Sequence, residues 1–356
     1  MIRTRIEFLQ GNLKDGEAAL ISSDADRLYY TGFASSAGYV AVTRKKAVFL
    51  IDFRYFEKAK QVVRSCDVIL LKNFSSQLGE FFSSQKIRTV YLETDTVSLS
   101  SFSSLKKRLP EYDFSSDDKL QSLIRKQRSI KSAEEISLIK KAQKMTDETF
   151  SYILEHISVG RTEREIMLDM EFYMRRLGSE GVSFDFIVVS GKNSSMPHGV
   201  PTDKKIEIGD FVTMDFGAVC GGYRSDMTRT IAVGEISDKQ KEIYGIVLKA
   251  QKETIDFIKP GVVCKDVDRV ARDTITKAGY GDCFGHGLGH SVGIEIHESP
   301  ACNTVCETVM EKGMIMTVEP GIYIENEFGV RIEDMVVVTE KGCENITESK
   351  KELIAL

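Results

Sequence analysis

A chain of 356 residues with 42% hydrophobic content is long enough for two ordinary globular cores and predicts two domains. The formal net charge is −5, and bases are interspersed with acids without any long Lys/Arg block, so neither nucleic acid nor an anionic membrane surface is an expected partner. There is no apolar run of about 18 residues and no apolar core of signal-peptide length after Met1, which predicts a cytoplasmic protein whose seven cysteines are reduced thiols.

Residues 1 to about 115 read as a self-contained α/β domain. Short β-rich runs at Ala18–Ile21, Tyr39–Thr43, Ala47–Ile51, Val68–Leu71 and Val90–Leu92 alternate with helical stretches such as Arg54–Arg64 and Ser101–Leu109. Ligand-type residues are sparse here and histidine is absent, and Asp52 and Asp95 read as loop or strand-end acids. The domain is therefore expected to shape, cover or oligomerise a site built elsewhere. The polar and then basic stretch Ser115–Lys131 reads as the linker.

Ser132 with Glu135 predicts a capping box, opening a helix with an apolar stripe of Ile136, Ile139, Met145, Phe150, Ile153 and Ile157. Thr162 with Glu165 caps the next helix, which Gly178 ends. A strand is predicted over Phe184–Val189. His198 follows in a loop between Pro197 and Gly199, where a lone histidine is ordinarily just exposed.

Phe211 to Ile231 reads as a β-hairpin carrying two acids. Val212, Met214 and Phe216 alternate with Thr213, Asp215 and Gly217, and Cys220, Gly221 and Gly222 supply the turn. A loop closing between Cys220 and Gly221 makes Asp215 and Asp226 a directly opposed pair, with Cβ atoms about 5 Å apart. Like charges so placed repel. Two cations about 3.5–4 Å apart fit the spacing of such a pair.

The rest of the chain repeats this unit. Gly261 to Gly279 spans the same distance as Gly160 to Gly178, with Ser237 and Gln240 opening the preceding helix and Pro260-Gly261 stopping it. Gly313–Gly321 aligns without gaps to Gly209–Gly217, which places Glu319 on Asp215, and the return arms place Glu333 on Asp226. Between helices and hairpin lie His286, His290 and His297, three of the five histidines, among glycines that leave room for a ligand or metal. Ile294 and Ile296 alternate with Glu295 and His297, which puts His297 on the polar face of a short strand. In the second hairpin, Met316 to Val338, Arg331 and Glu333 share one face, and Tyr323 lies four residues beyond Glu319. Cys302 and Cys306 have a loose ligand-like spacing but no partner Cys/His pair, and read as incidental.

Asp215, Asp226, Glu319 and Glu333 with one imidazole form an oxygen-rich set favouring Mn²⁺, Co²⁺, Fe²⁺ or Zn²⁺ over a structural thiolate zinc site. Spacing alone does not choose the imidazole. Four carboxylates balance two divalent ions, and a water bridging them would be acidified to a hydroxide nucleophile suited to hydrolysis.

The motifs DFG (215–217), SDMTRT (225–230), GHGLGH (285–290), TVEPG (317–321) and RIED (331–334) resemble those of the pita-bread metallopeptidases, in the branch of Xaa-Pro aminopeptidase (aminopeptidase P) and Xaa-Pro dipeptidase (prolidase). The likeness covers about residues 125–356, and YYTGF (29–33) and IDFRYFEKA (51–59) are similar to that branch's creatinase-like N-terminal domain. The implied architecture is an α/β creatinase-like domain at 1–122 and an α+β pita-bread catalytic domain at 123–356 with an internal pseudo-two-fold repeat. The resemblance also implies Asp215, Asp226, His290, Glu319 and Glu333 as ligands of two metal ions, Mn²⁺ foremost, and Glu319 as the group that handles protons. His198 and His297 would stabilise the tetrahedral intermediate and hold the proline side of the substrate, supported by Arg331 and Tyr323, with His286 beside the metal ligands.

The expected reaction is therefore removal of the first residue from peptides with proline second, in a homodimer. The alternatives are a prolidase restricted to dipeptides, a methionine aminopeptidase, a metal-free creatinase-like hydrolase, and an inactive peptide-binding protein on the same fold. The chain has no Trp, so the tryptophan lid that some relatives take from a neighbouring subunit must be a Tyr or Phe here, or be missing.

Overall fold

Local sequence dictates most of the element boundaries in the computed structural model, which describes residues 2–356. It divides into two units, one ending at Gln127 and one spanning Arg128–Leu356, where the sequence placed the boundary at 122/123.

The first unit contains α1 (Ile2–Asn12), β1 (Glu17–Ile21), α2 (Asp24–Thr31), β2 (Tyr39–Thr43), β3 (Ala47–Ile51), α3 (Phe53–Val62), β4 (Asp67–Leu70), α4 (Phe74–Ser84), β5 (Thr89–Leu92), α5 (Leu99–Arg108) and β6 (Asp113–Ser115), and α6 (Lys119–Ser129) runs through the division. One six-stranded sheet has the order β4-β3-β2-β1-β5-β6. The tight β1–β2 and β2–β3 pairings are antiparallel, while β3–β4, β1–β5 and β5–β6 are parallel. Parallel neighbours need a crossover, which α3 and α5 provide for β3–β4 and β5–β6. Strands β1 to β3 are buried at every position after the first, which is why they read as unbroken apolar runs and not as alternation. Leu20, Ala41, Leu50, Leu78, Phe82, Val90 and Phe114 form the core on one side. Asp52 caps α3 by accepting from Arg54 N (2.9 Å), and Asp95 pairs with Arg125, so both acids have structural employment.

The second unit is two copies of a helix pair followed by a long hairpin. In the first copy α7 (Ala133–Leu154) and α8 (Glu163–Arg176) precede β7 (Ile187–Ser190), β8 (Phe211–Phe216), β9 (Val219–Cys220), β10 (Tyr223–Arg224) and β11 (Met227–Ala232). In the second, α9 (Asp238–Phe257) and α10 (Cys264–Lys277) precede β12 (Gly289–Ser291), β13 (Glu298–Cys302), β14 (Ile315–Val318), β15 (Gly321–Ile324), β16 (Phe328–Arg331), β17 (Asp334–Val338) and β18 (Cys343–Asn345). Capping boxes form at Ser132/Glu135, Thr162/Glu165 and Ser237/Gln240. The four repeat glycines adopt the same left-handed conformation, with φ of 90° and 102° at Gly160 and Gly178 and 88° and 92° at Gly261 and Gly279. Each copy packs its helices on its own hairpin: Ala142, Ile166, Met170, Met214 and Phe216 in one, Val247, Ala271, Ile275, Met316 and Val336 in the other.

The first hairpin corrects one expectation. Asp215 faces Thr228, not Asp226. The turn is made by Gly221 and Gly222, at φ of 58° and 77°, because a two-residue hairpin turn that follows the strand twist needs positive φ at both central positions. The register shift leaves Asp226 diagonal to Asp215 on the same face, since Asp226, Thr228 and Thr230 alternate along the return arm. The ladder is broken beside Asp226: a Cβ on Gly217 would lie 1.9 Å from the Ser225 carbonyl oxygen, so only glycine allows that approach. In the second hairpin one register runs unbroken through β14–β17 and β15–β16, which places Glu319 opposite Glu333 at the corresponding interruption.

A second correction concerns His297. No strand forms over Ile294–His297; β13 begins at Glu298, because the pairing of β12 with β13 shifts register between His290 and Ser291 and the chain bends before it. No helix among the described residues is long and apolar enough to cross a membrane.

Candidate metal centre

The two hairpins meet along their return arms. Glu333 N donates to Thr228 O (3.1 Å), Thr230 Oγ1 donates to Arg331 O (2.9 Å), and the buried Arg229 reaches across to Asp334 (2.7 Å). This junction brings Asp215, Asp226 and Glu333 together, with one carboxylate oxygen of each within 4.8 Å of the others. His290, on β12, directs Nε2 to 3.6 Å from Asp226 Oδ2 and 3.4 Å from Glu319 Oε1. All five residues line a cavity of about 1010 Å³, together with His198, His286, His297 and Arg331.

Three carboxylate oxygens, Asp215 Oδ1, Asp226 Oδ1 and Glu333 Oε1, are buried with no hydrogen-bond donor. Buried polar atoms are ordinarily paired, so three orphaned oxygens on carboxylates that approach one another this closely mark a place for a cation. Burial, reinforced by neighbouring carboxylates, pushes the Asp226 and Glu333 carboxyls well above the usual carboxylate range and Glu319 up to about 8. Burial, with His297 beside it, holds His290 down at about 4. The neutral ring has its tautomer set, because Nδ1 faces the Ser291 carbonyl (3.2 Å) and must carry the proton, leaving the Nε2 lone pair toward the acids. A carboxylate-rich donor set with one neutral imidazole and no thiolate fits oxygen-preferring divalent ions.

The surrounding network is directional. Arg331, 4% exposed, donates to Asp215 Oδ2 (2.7 Å), Thr228 Oγ1 (3.0 Å) and Tyr323 Oη (2.8 Å). Thr228 Oγ1 in turn donates to Glu333 Oε2 (2.7 Å), so one guanidinium orients carboxylates from both hairpins. Tyr323 Oη in turn donates to His286 Nε2 (3.0 Å), while His286 Nδ1 donates to Gly287 O (2.8 Å). Both nitrogens of His286 are thus engaged. His198 and His297 are exposed on the cavity wall, and the His297 ring centroid lies 4.4 Å from that of His290.

Sequence reading missed several members of this site. Thr317 Oγ1 accepts from His290 N (2.9 Å) and donates to Glu319 Oε1 (3.1 Å), bracing imidazole and acid together. Thr228 had a legible signal, its place two residues after Asp226 on the same strand face; Thr317 stands likewise two residues before Glu319.

A duplicated helix-and-hairpin unit with acids from both copies and an imidazole at the end of an open cavity defines a pita-bread metallopeptidase. Comparison with known proteins agrees. The family model for metallopeptidase family M24 matches residues 137–340, and that for the creatinase/prolidase N-terminal domain matches residues 5–130. The chain belongs to metallopeptidase family M24, with a creatinase/prolidase N-terminal domain ahead of the catalytic one. It is 39% identical to a Xaa-Pro dipeptidase of Pyrococcus horikoshii over 99% of this chain and 98% of the relative. Among solved structures, a Xaa-Pro dipeptidase from Bacillus anthracis matches with TM-score 0.95 and 42% identity over 100% of both chains. An X-Pro aminopeptidase from Thermotoga maritima matches with TM-score 0.91 and 37% identity over 98% of this chain and 100% of that one.

Proposed function

We propose that this metallopeptidase removes the N-terminal residue from peptides with proline in second position, with Asp215, Asp226, His290, Glu319 and Glu333 holding two divalent ions. The observation that carries the reading is the set of three donorless carboxylate oxygens at the end of the cavity, beside a neutral imidazole. Two ions held there would supply Lewis acidity toward the scissile carbonyl and ionise a water. Around them the chain's own groups have distinct work. Glu319 takes up the proton of the attacking water and returns it to the departing nitrogen. That return is needed because an unprotonated nitrogen is too poor a leaving group, and the proline nitrogen, which has no N–H in the substrate, then departs as a secondary amine. His198 and His297 donate to the developing oxyanion and flank the proline side, and Arg331 keeps Asp215 in place.

The native metal is proposed to be manganese, on the strength of the oxygen-rich donors. Seven free cysteines suit a reducing cytoplasm. The working form is proposed to be a homodimer, from the likeness to the aminopeptidase and dipeptidase branch.

A cavity of about 1010 Å³ stands at the upper end of the range of about 300–1,000 Å³ for small-ligand sites, which favours substrates longer than a dipeptide. The dipeptidase reading is favoured instead by the names of relatives at 39–42% identity. A matrix of metals (Mn²⁺, Co²⁺, Fe²⁺, Zn²⁺) against Xaa-Pro, Xaa-Pro-Yaa and Xaa-Ala-Yaa peptides tests both. The expected result is activity lost on chelation, restored most by Mn²⁺, and greatest on Xaa-Pro-Yaa. Full activity in metal-free protein would refute the proposal.

A further inference from the structure

Glu163, the first residue of α8, is fully buried, and its carboxylate is saturated by neutral donors from two distant points of one loop. Oε1 accepts from Ser190 N (2.6 Å), Ser190 Oγ (2.9 Å) and Asn193 Nδ2 (3.0 Å). Oε2 accepts from Thr202 N (2.9 Å), Thr202 Oγ1 (2.6 Å) and Asn193 Nδ2 (3.2 Å). These donors bracket the segment carrying Pro197-His198-Gly199, which forms one wall of the cavity. Because the His198 side chain is exposed, the loop backbone sets where the ring stands.

The internal repeat supplies a control for what the fold itself requires. Glu163 N donates to Lys204 O (3.1 Å) and Arg164 N to Thr202 O (3.1 Å). In the second copy Cys264 N donates to Thr308 O (2.9 Å) and Lys265 N to Cys306 O (3.0 Å), so the same backbone frame recurs with a buried thiol at the carboxylate's place. A carboxylate there is not demanded by the frame. It serves the first copy's loop, which presents Pro197, His198 and Gly199 to the cavity.

We infer that Glu163 is a positioning residue: its buried carboxylate ties Ser190, Asn193 and Thr202 into one clamp that holds His198 at the cavity wall. This rests on the reading of His198 as a group that touches substrate. Glu163→Gln keeps the shape but turns one carboxylate oxygen into an amide facing donors, which opens the clamp at one end.

The test compares wild type, Glu163→Gln, His198→Ala and the double variant, all loaded with Mn²⁺, on a tripeptide with proline second. Glu163→Gln is expected to lower kcat/KM by about 10- to 100-fold, mostly through kcat, at unchanged manganese stoichiometry. In the His198→Ala background it should add less than about threefold, since its effect runs through that ring. Losses that multiply in the double variant, or a normal Glu163→Gln enzyme beside an impaired His198→Ala one, overturn the clamp alone. A fully active His198→Ala enzyme overturns the reading of His198 and the clamp with it. If Glu163→Gln does not fold, Thr202→Val removes one hydroxyl donor and leaves the carboxylate in place. A smaller loss that vanishes in the His198→Ala background supports the clamp, and no loss, or one that persists in that background, refutes it.

Discussion

Asp226→Asn should have opposite effects on the metal-free and the metal-loaded protein. Asp226 is 4% exposed and its carboxylate lies within 4.8 Å of those of Asp215 and Glu333. At an effective dielectric constant of about 20, two unit charges at that separation repel by about 3.5 kcal/mol. Proton uptake relieves part of this, as the raised carboxyls of Asp226 and Glu333 imply. Asn has nearly the same shape, carries no charge and adds an amide donor beside the carboxylates of Asp215 and Glu333. The metal-free variant should therefore be more stable than metal-free wild type by about 1–3 kcal/mol, with about 2–4 °C in Tm for each kcal/mol in a domain of this size. The gain should grow from pH 6 to pH 9. Folded-state carboxyls raised above their unfolded values stabilise below the unfolded value and lose that contribution as pH rises, and Asn removes one of them. With Mn²⁺ present the order should invert, because the missing charge is now a missing ligand, and turnover should fall to background. Thermal denaturation with and without chelator, alongside single-turnover assays, measures all three quantities. A metal-free variant less stable than metal-free wild type, or near-normal kcat with Mn²⁺, would refute the reasoning.

His297→Ala should lower kcat/KM while two metal ions stay bound; loss of one ion, read by elemental analysis, would show that its role is misassigned. Arg331→Lys cannot bridge Asp215, Thr228 and Tyr323 with a single ammonium, so metal affinity or kcat should drop by about 10- to 100-fold. Burial alone would raise the Glu298 carboxyl, but Lys131 and Arg128 hold it below the ordinary glutamate range. Its stabilisation is complete above an unfolded value of about 4.3 and is lost as pH falls through the lower folded value. Glu298→Gln should accordingly flatten the acid limb of the Tm–pH curve and cost about 3–5 kcal/mol near neutrality by leaving Lys131 buried without its counter-charge.

Much of this protein is legible locally. Capping boxes at Ser132, Thr162 and Ser237 declare helix starts by side-chain hydrogen bonds within one turn. Strand alternation places Asp215 and Asp226 on one face for either two-residue turn, because moving the turn by one position shifts the pairing by two residues and the period is two. The spacing of Gly160–Gly178 and Gly261–Gly279 exposes the repeat, since each glycine sits where φ is positive. Such features depend on neighbours a few residues away, so the chain alone determined them, along with the four acids and the histidine-rich segment.

Tertiary structure decided the rest. The bend before Glu298, set where β12 meets β13, left His297 outside any strand. Which imidazole meets the acids depends on hydrogen bonds between remote segments: Tyr323 occupies His286, whereas His290 keeps a free lone pair toward Asp226 and Glu319. Glu163 gained its role only when the two ends of a loop arrived beside it. Contacts of that kind join residues tens to more than a hundred positions apart, and no local periodicity encodes them; they follow from how two hairpins pack, which burial of both copies' apolar faces selects.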